Sequence, residues 1–377
     1  MQIPFYKINY DNKEIIEATK VLNSGFLTEG KYVSEFEKSF SKKLRLKEKK
    51  SSVAVSNCTS ALYLCLKALN VKKGDEVIIP AMTFVADSNV VEQIGAKPIF
   101  CDSISANDWS INPEDIKKKI SKKTKVIIAV HFAGYPCNLK EILKICKDNN
   151  IFLVEDSCHA LFSKKNNSFL GTKGILSVFS FYGNKNFTTG EGGMIVGNKK
   201  LILKIKKLKS HGIYKKKYFN GYFPIYDVKD FGFNFRLTEL QAILGLSQLK
   251  KIDFLNKKRK YIISLYNKYI NIFLLDKKIV VPYNKYFLED YSFHIFPILI
   301  PRNIRRNKVI MNLKNKGIET SVHYTPITKF SIYKKQKIKL PVVDSFYKRV
   351  LTLPLYPKLT EKDIKYIVYN LSEILSG

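Results

Sequence analysis

No two cysteines in this chain stand at C-x-x-C spacing. The six present, Cys58, Cys65, Cys101, Cys137, Cys146 and Cys158, are scattered singly. That argues against the paired-ligand pattern of a structural zinc site and against the motif of a redox dithiol. No stretch approaches the roughly 20 apolar residues that a membrane-spanning helix requires. The opening MQIPFYKINYDNKE lacks the apolar core of a secretory signal. A reduced, cytoplasmic protein without membrane insertion is therefore expected. No internal repeat and no low-complexity linker interrupts the chain.

Acidic residues are also scarce. Thirty-two Asp and Glu stand against 65 Lys and Arg, giving a formal net charge of +33. Such an excess invites a nucleic-acid or membrane-surface reading, but the pattern argues against it. The lysines come in short groups throughout: KEKK at 47–50, KKKISKKTK at 117–125, KLILKIKKLK at 200–209 and YKKKY at 214–218. No aromatic-interleaved module and no zinc-finger spacing accompanies them. They read as a lysine-rich solvated surface, with attraction of an anionic substrate as the functional alternative.

What the chain does have is a core. Hydrophobic residues make up 45% and aromatics 13% of 377 positions, which suits a packed globular protein. Single cores stop growing at roughly 250–300 residues, so a large domain over 1–250 and a smaller one over 251–377 are expected. From residue 50 short apolar strands alternate with helices. The strands are SSVAVSN (51–57), GDEVIIP (74–80), KPIFCD (97–102), TKVIIAVHF (124–132), IFLVED (151–156), SVFSF and GGMIVG. Helices are expected over 59–69, 86–95, 112–120 and 138–149. This alternation predicts an α/β fold with a mostly parallel sheet between helices. A long helix over 237–270 leads to a smaller α+β part. That part has a strand at 294–301, helix, Gly turn and strand over 306–322, and a capped helix over 360–375.

Three segments at or just beyond the carboxyl ends of strands could carry chemistry, where such sheets bind ligands. In SNCTSAL (56–62) a strand gives way to a helix, and Thr59, Ser60 and the free N–H groups of the helix start suit a phosphate; ordinary capping is the competing reading. In VEDSCHA (154–160), Glu155 and Asp156 end a strand and His159 follows. In FSFYGNKNFTTGEGGMIVG (179–197), Lys185 lies just beyond a strand, where desolvation can lower its pKa and make it an amine nucleophile. Singly, each has a bland explanation. Together they offer a phosphate cradle, a carboxylate and a lysine, the partners of the phosphate, pyridinium nitrogen and aldehyde of pyridoxal 5'-phosphate (PLP).

The sequence also resembles the DegT/DnrJ/EryC1/StrS sugar aminotransferases, which are fold type I PLP enzymes. The resemblance runs from SGFLTEGKYVSEFE (24–37) to LPLYPKLTEKD (353–363). It passes in order through SNCTSAL, PAMTFVA, VHFAGYPCNL, VEDSCHA, FSFYGNKNFTTGEGGM, SHGI, FNFRLTELQAILGLSQL and KGIETSVHY. It implies a seven-stranded sheet and a role for each matched residue. Lys185 would form the Schiff base with the cofactor and then move a proton between donor and cofactor. Asp156 would keep the pyridine nitrogen protonated, and His159 would contact the ring's phenolic oxygen. Phe84 would stack on the ring, a core phenylalanine being the alternative. Ser180 would join Thr59 and Ser60 at the phosphate, and Asn234 would reach the phosphate of a neighbouring subunit, making a homodimer with shared active sites. Glu191 and His323 would line the sugar pocket. Arg236 would bind anionic groups of the substrate or brace the helix start, and for His131 and His211 a structural role is at least as well supported. Two departures stand out: Cys58 occupies a position where the family often has glycine or alanine, and FYGN precedes the lysine.

The resemblance implies transfer of an amino group from L-glutamate to a nucleotide-linked keto-sugar, expected to be a 4-keto-6-deoxyhexose on UDP, GDP or dTDP, for a surface polysaccharide or other glycan. A 3-keto sugar is the nearest competitor. Another PLP reaction such as dehydration, and a basic nucleic-acid or membrane-surface binding protein, are the readings from other classes. A branch of the family that removes a sugar hydroxyl has histidine in place of this lysine, and Lys185 argues against it.

Overall fold

Seven apolar strands form the central sheet of the computed structural model, which describes residues 1–215, 226–284 and 289–376. Residues 216–218 of the YKKKY group lie outside the described residues. The strands are β1 (Lys50–Val55), β2 (Glu76–Pro80), β3 (Lys97–Cys101), β4 (Thr124–Val130), β5 (Phe152–Asp156), β6 (Leu176–Ser180) and β7 (Gly193–Asn198), in the order β1-β7-β6-β5-β4-β2-β3. Only β7 runs against the others. The mostly parallel α/β sheet expected from the apolar runs is therefore present, with β4 and β6 almost wholly buried, as strands covered on both faces must be.

The reversal at β7 matters for the site. Ser180 pairs with Gly193, so β6 and β7 close the base of a loop that carries Lys185. Gly193 cannot be larger: a Cβ there would come within 2.8 Å of the Asn57 carbonyl, where the next helix starts. β1 ends at Val55, two residues before the end of the expected 51–57 strand, and that helix, Cys58–Ala68, starts one residue before the expected 59. Asn57 ends the extended backbone and accepts the Ser60 N–H on its own Oδ1 at 2.8 Å.

The long helix spans Glu239–Phe273. It starts two residues later than the 237–270 reading because Thr238 is its N-cap and forms a capping box with Gln241. The Glu239 carboxylate accepts the N–H groups of Gly30, Tyr32 and Val33, satisfying the start of the Lys31–Lys43 helix. The same long helix packs on the Glu361–Ser376 helix. The division expected at residue 250 falls inside it, and we propose that this helix is shared by the two parts. One buried apolar cluster runs from Val53 and Ile79 to Ile298 and Leu351, joining them.

Beyond the helix, β8 (Phe296–Leu299) and β9 (Val350–Leu353) form an antiparallel pair. The helix expected after residue 306 is Arg306–Asn315, and Gly317 turns with φ +75°. The strand expected to follow is not formed. Ser321 makes a single bridge to Thr352, because the chain then leaves β9 and enters the cavity described next at His323 and Tyr324.

Candidate active site

A cavity of about 800 Å³ opens at the carboxyl ends of β4, β5 and β6, large enough for a cofactor and a further ligand. It brings together nine of the eleven residues singled out from the sequence: Thr59, Ser60, Phe84, Asp156, His159, Ser180, Lys185, Glu191 and His323. The other two, Asn234 and Arg236, do not line it. Asn234 is exposed and sits between Phe233 and Phe235, which do line it. In an extended segment, alternate side chains point to opposite sides.

Lys185 is partly exposed as a residue, yet its amine is desolvated within the cavity, and burial lowers its pKa against the opposing pull of Cys158, Asp156 and Cys58. Its Nζ lies 3.4 Å from Nε2 of His294. The tautomer of His294 follows from its other partner. Asn186 donates through Nδ2 to Asn256 Oδ1 and to the Ser292 carbonyl. Its Oδ1 therefore faces His294 Nδ1 at 3.1 Å and accepts the imidazole proton. Nε2 is left with a lone pair toward Lys185. Burial and the Lys185 charge hold His294 well below the usual histidine range, so the ring stays neutral.

Asp156 ends β5, pairs in register with Val130 and Val178, and is 7% exposed. One oxygen accepts the Cys158 N–H at 2.8 Å. Beside it, Asp87 is buried and accepts the Thr83 hydroxyl at 2.6 Å. Burial, reinforced by the Asp156 charge, pushes the Asp87 carboxyl well up, which keeps it neutral.

His159 is buried and takes the Ala133 N–H on Nδ1, leaving its Nε2 proton for the Tyr324 hydroxyl at 3.0 Å. Phe84 is 57% exposed with its ring 5.9 Å from that of Tyr324; it belongs to a cavity wall and not to the core. Ser60 turns its hydroxyl into the Asn57 cap network, at 2.7 Å from Asn57 Oδ1, whereas Thr59 is exposed on the first turn. Capping and cradle thus coexist, with Asn57 doing the capping. His323 is held at about 3 by burial and by the nearby Lys185 charge.

His131 and His211 lie outside this group. His211 is exposed, with φ +62° and its N–H donated to the Phe233 carbonyl. His131 and Glu155 form a fully buried pair, Nε2 to Oε2 at 2.9 Å, and Glu155 also accepts the Lys173 and Gly174 N–H groups. Burial opposes the charge on His131, but Cys137 and Glu155 outweigh it and raise the ring's pKa to about 10. The pair's stabilisation is complete below the ordinary histidine value of 6.5 and is lost as pH rises through about 10. Glu155→Gln leaves this ring without its counter-charge and is expected to cost about 3–5 kcal/mol. Urea midpoints should show that loss near neutral pH and a flatter pH dependence in the variant.

Tyr324, Asp87 and Asn184 are cavity residues that sequence reasoning did not single out, nor did it single out His294, which meets Lys185 from outside the cavity lining. Asn184 has a buried Oδ1 without a hydrogen-bond partner and lines the cavity, leaving an acceptor for a ligand. Its place one residue before Lys185 was the available signal.

An α/β sheet with a desolvated lysine, a buried carboxylate and an open helix start in one cavity defines a transferase site for a phosphorylated carbonyl cofactor. Residues 9–372 match the model of the DegT/DnrJ/EryC1/StrS aminotransferase family. GDP-perosamine synthase of Escherichia coli O157:H7 is 34% identical over 379 residues, covering 99% of both chains. Helicobacter pylori PseC, an aminotransferase involved in the biosynthesis of pseudaminic acid, superposes with a TM-score of 0.92 at 30% identity and full coverage of both chains. A structure from Streptococcus pneumoniae, described as a sugar aminotransferase in a PLP form, gives 0.91 at 29% identity, covering 100% of this chain and 99% of that one. The chain belongs to the DegT/DnrJ/EryC1/StrS aminotransferase family, and it is a transaminase. Among the described residues no helix is long and apolar enough to cross a membrane.

Proposed function

We propose that this chain is a PLP-dependent aminotransferase that moves an amino group from L-glutamate to a nucleotide-linked keto-sugar, a step in making an amino sugar for a surface polysaccharide or glycan. The observation that carries it is the meeting of the Lys185 amine, the Asp156 carboxylate and the start of the Cys58–Ala68 helix in one cavity. The donor set fits the cofactor group by group: an amine for its aldehyde, a carboxylate for its ring nitrogen, hydroxyls and N–H groups for its phosphate. A 4-keto-6-deoxyhexose is the acceptor we favour, since the matched relatives include a UDP-4-amino-4,6-dideoxy-N-acetyl-beta-L-altrosamine transaminase, whose name carries an amine at carbon 4 of a 6-deoxy sugar.

Bound there, PLP supplies an aldehyde that primary amines condense with and a ring that accepts the electron pair left when a proton leaves the donor's α-carbon. Lys185 does the proton work. Its desolvated amine is neutral at lower pH than an exposed lysine, so it can act as nucleophile and as base. Asp156 would hold the ring nitrogen, its negative charge favouring the protonated ring. Thr59, Ser60 and Ser180 would hold the phosphate, and Phe84 would lie against the ring. His159 would face the cofactor's phenolic oxygen directly or through the Tyr324 hydroxyl that it holds. Glu191 and His323 line the remaining space for the sugar, where the neutral His323 serves as a hydrogen-bonding group. Asn234 and Arg236, outside the cavity of a single chain, suit a homodimer in which each copy completes the other's site. A cytoplasmic setting suits such a biosynthetic step.

His294 is a positioning residue in this scheme. Replacing it with phenylalanine removes the acceptor facing Lys185 and is expected to lower kcat about 10²-fold through misplacement of the amine, with KM for glutamate little changed. A raised KM with kcat unchanged would assign His294 to substrate binding instead. The reading as a whole is tested by supplying purified enzyme with PLP, L-glutamate and a panel of UDP-, GDP- and dTDP-linked keto-sugars. Formation of 2-oxoglutarate together with an aminated sugar nucleotide supports it. Dehydrated product without 2-oxoglutarate refutes it.

A further inference from the structure

We propose that Cys58 and Cys158 are a modification site, a thiol pair that closes to a disulfide at the edge of the active-site cavity. The two are 100 residues apart in the chain, yet their Sγ atoms lie 2.7 Å apart. A disulfide bond is about 2.05 Å long, so closure asks for a shift of only a few tenths of an ångström at each sulfur. Cys58 opens the Cys58–Ala68 helix beside Thr59, and Cys158 follows two residues after Asp156. Both are partly exposed and line the cavity, whereas Cys65, Cys101, Cys137 and Cys146 are buried. A small disulfide entering the cavity therefore meets this pair first. The family that the sequence resembles often has glycine or alanine at position 58.

The chemistry is thiol–disulfide exchange with a low-molecular-weight disulfide such as oxidised glutathione. The hydrogen bond with Cys158 pulls the Cys58 thiol down, but burial and the Asp156 charge outweigh it, while burial, Cys58 and Asp156 all raise Cys158, so the reaction is slow at neutral pH and faster as pH rises. Cys58 attacks first, because a helix N-terminus favours an anion there. Its thiolate bonds to one glutathione sulfur and expels the other as a thiol. The Cys158 thiolate then attacks Cys58 Sγ and expels the second glutathione. Two protein thiols lose two protons and two electrons, and one glutathione disulfide becomes two thiols. Sγ of both cysteines and the Asp156 carboxylate lie within 4.8 Å of one another. A cofactor facing Asp156 therefore covers the pair, a consequence that rests on the PLP reading above.

The test incubates holoenzyme and cofactor-depleted enzyme with oxidised glutathione and a chelator, then alkylates, digests and weighs the peptides. The expected product joins the Cys58 and Cys158 peptides and is lighter than the two reduced peptides by two hydrogens. Bound PLP should slow its formation several-fold. Cys158→Ser should stop at a glutathione adduct on Cys58, and Cys58→Ser should give no bridge. Wild-type enzyme that stops at a glutathione adduct, or keeps both thiols free while denatured chain is fully oxidised, overturns the proposal. A bridge that forms equally fast with and without PLP upholds the thiol pair and counts against PLP lying over Asp156.

Discussion

Lys185→Ala is expected to abolish turnover while leaving the fold intact. Loss of a positioned general base alone costs about 10²–10⁴-fold, and this substitution also removes the amine that holds the cofactor, so kcat should fall at or beyond the top of that range. Lys185 is not a structural cation. Its amine is desolvated, burial depresses its pKa, and its contact is the neutral His294 at 3.4 Å. Removing it relieves a desolvation cost. Thermal unfolding should therefore show Lys185→Ala at least as stable as the parent protein, with activity gone. A variant that is both inactive and much less stable would point to a structural lysine.

Asp156→Asn is expected to give the second largest loss, about 10²–10³-fold in kcat, the scale seen when one preorganised electrostatic partner is removed from a site. Asparagine keeps the shape and an oxygen for the Cys158 N–H, so the loss reports charge and not collapse of the loop. Two titrations should move with it. Asp156 supports the protonated form of Lys185, so without it the amine becomes neutral at still lower pH, and the acid limb of the kcat profile should shift downward. Asp87 is held neutral partly by the same charge, so its carboxyl should ionise more readily in the variant. Kinetics across the acid range, with stability followed in parallel, would detect both. An unshifted acid limb would mean that the two groups do not communicate.

The parts of the site that were legible in the sequence are those that local pattern encodes. Asp156 closes a short apolar run that alternates with helices and so reads as a buried strand, whose last residue stands at the ligand-binding edge. Lys185 follows β6 within a glycine-rich loop, and SNCTSAL marks where a strand gives way to a helix. The rest is set by tertiary contact. His294 is 109 residues from Lys185, in a segment whose apolar character signals only a strand. Tyr324 is 165 residues from His159, and Asp87 sits inside a helix where an acid ordinarily faces water. Nothing in local spacing distinguishes these from surface residues. The reading of 306–322 over-extended for a related reason: the 318–322 stretch has strand character, but Ile318 pairs with Ile3 while Ser321 pairs with Thr352, and no ladder forms. Phe84 shows the converse. A core phenylalanine was the alternative to ring stacking there, and exposure at a cavity wall excludes that alternative.

The central claim is that Lys185 is the amine to which PLP attaches. It is tested most directly by the visible absorption spectrum of purified protein supplied with PLP, before and after L-glutamate, with Lys185→Ala measured alongside. The account expects a visible band that bleaches on adding glutamate, and a band that is absent or altered in the variant. A parent protein with no band, or a variant with the same band and the same response to glutamate, would contradict it.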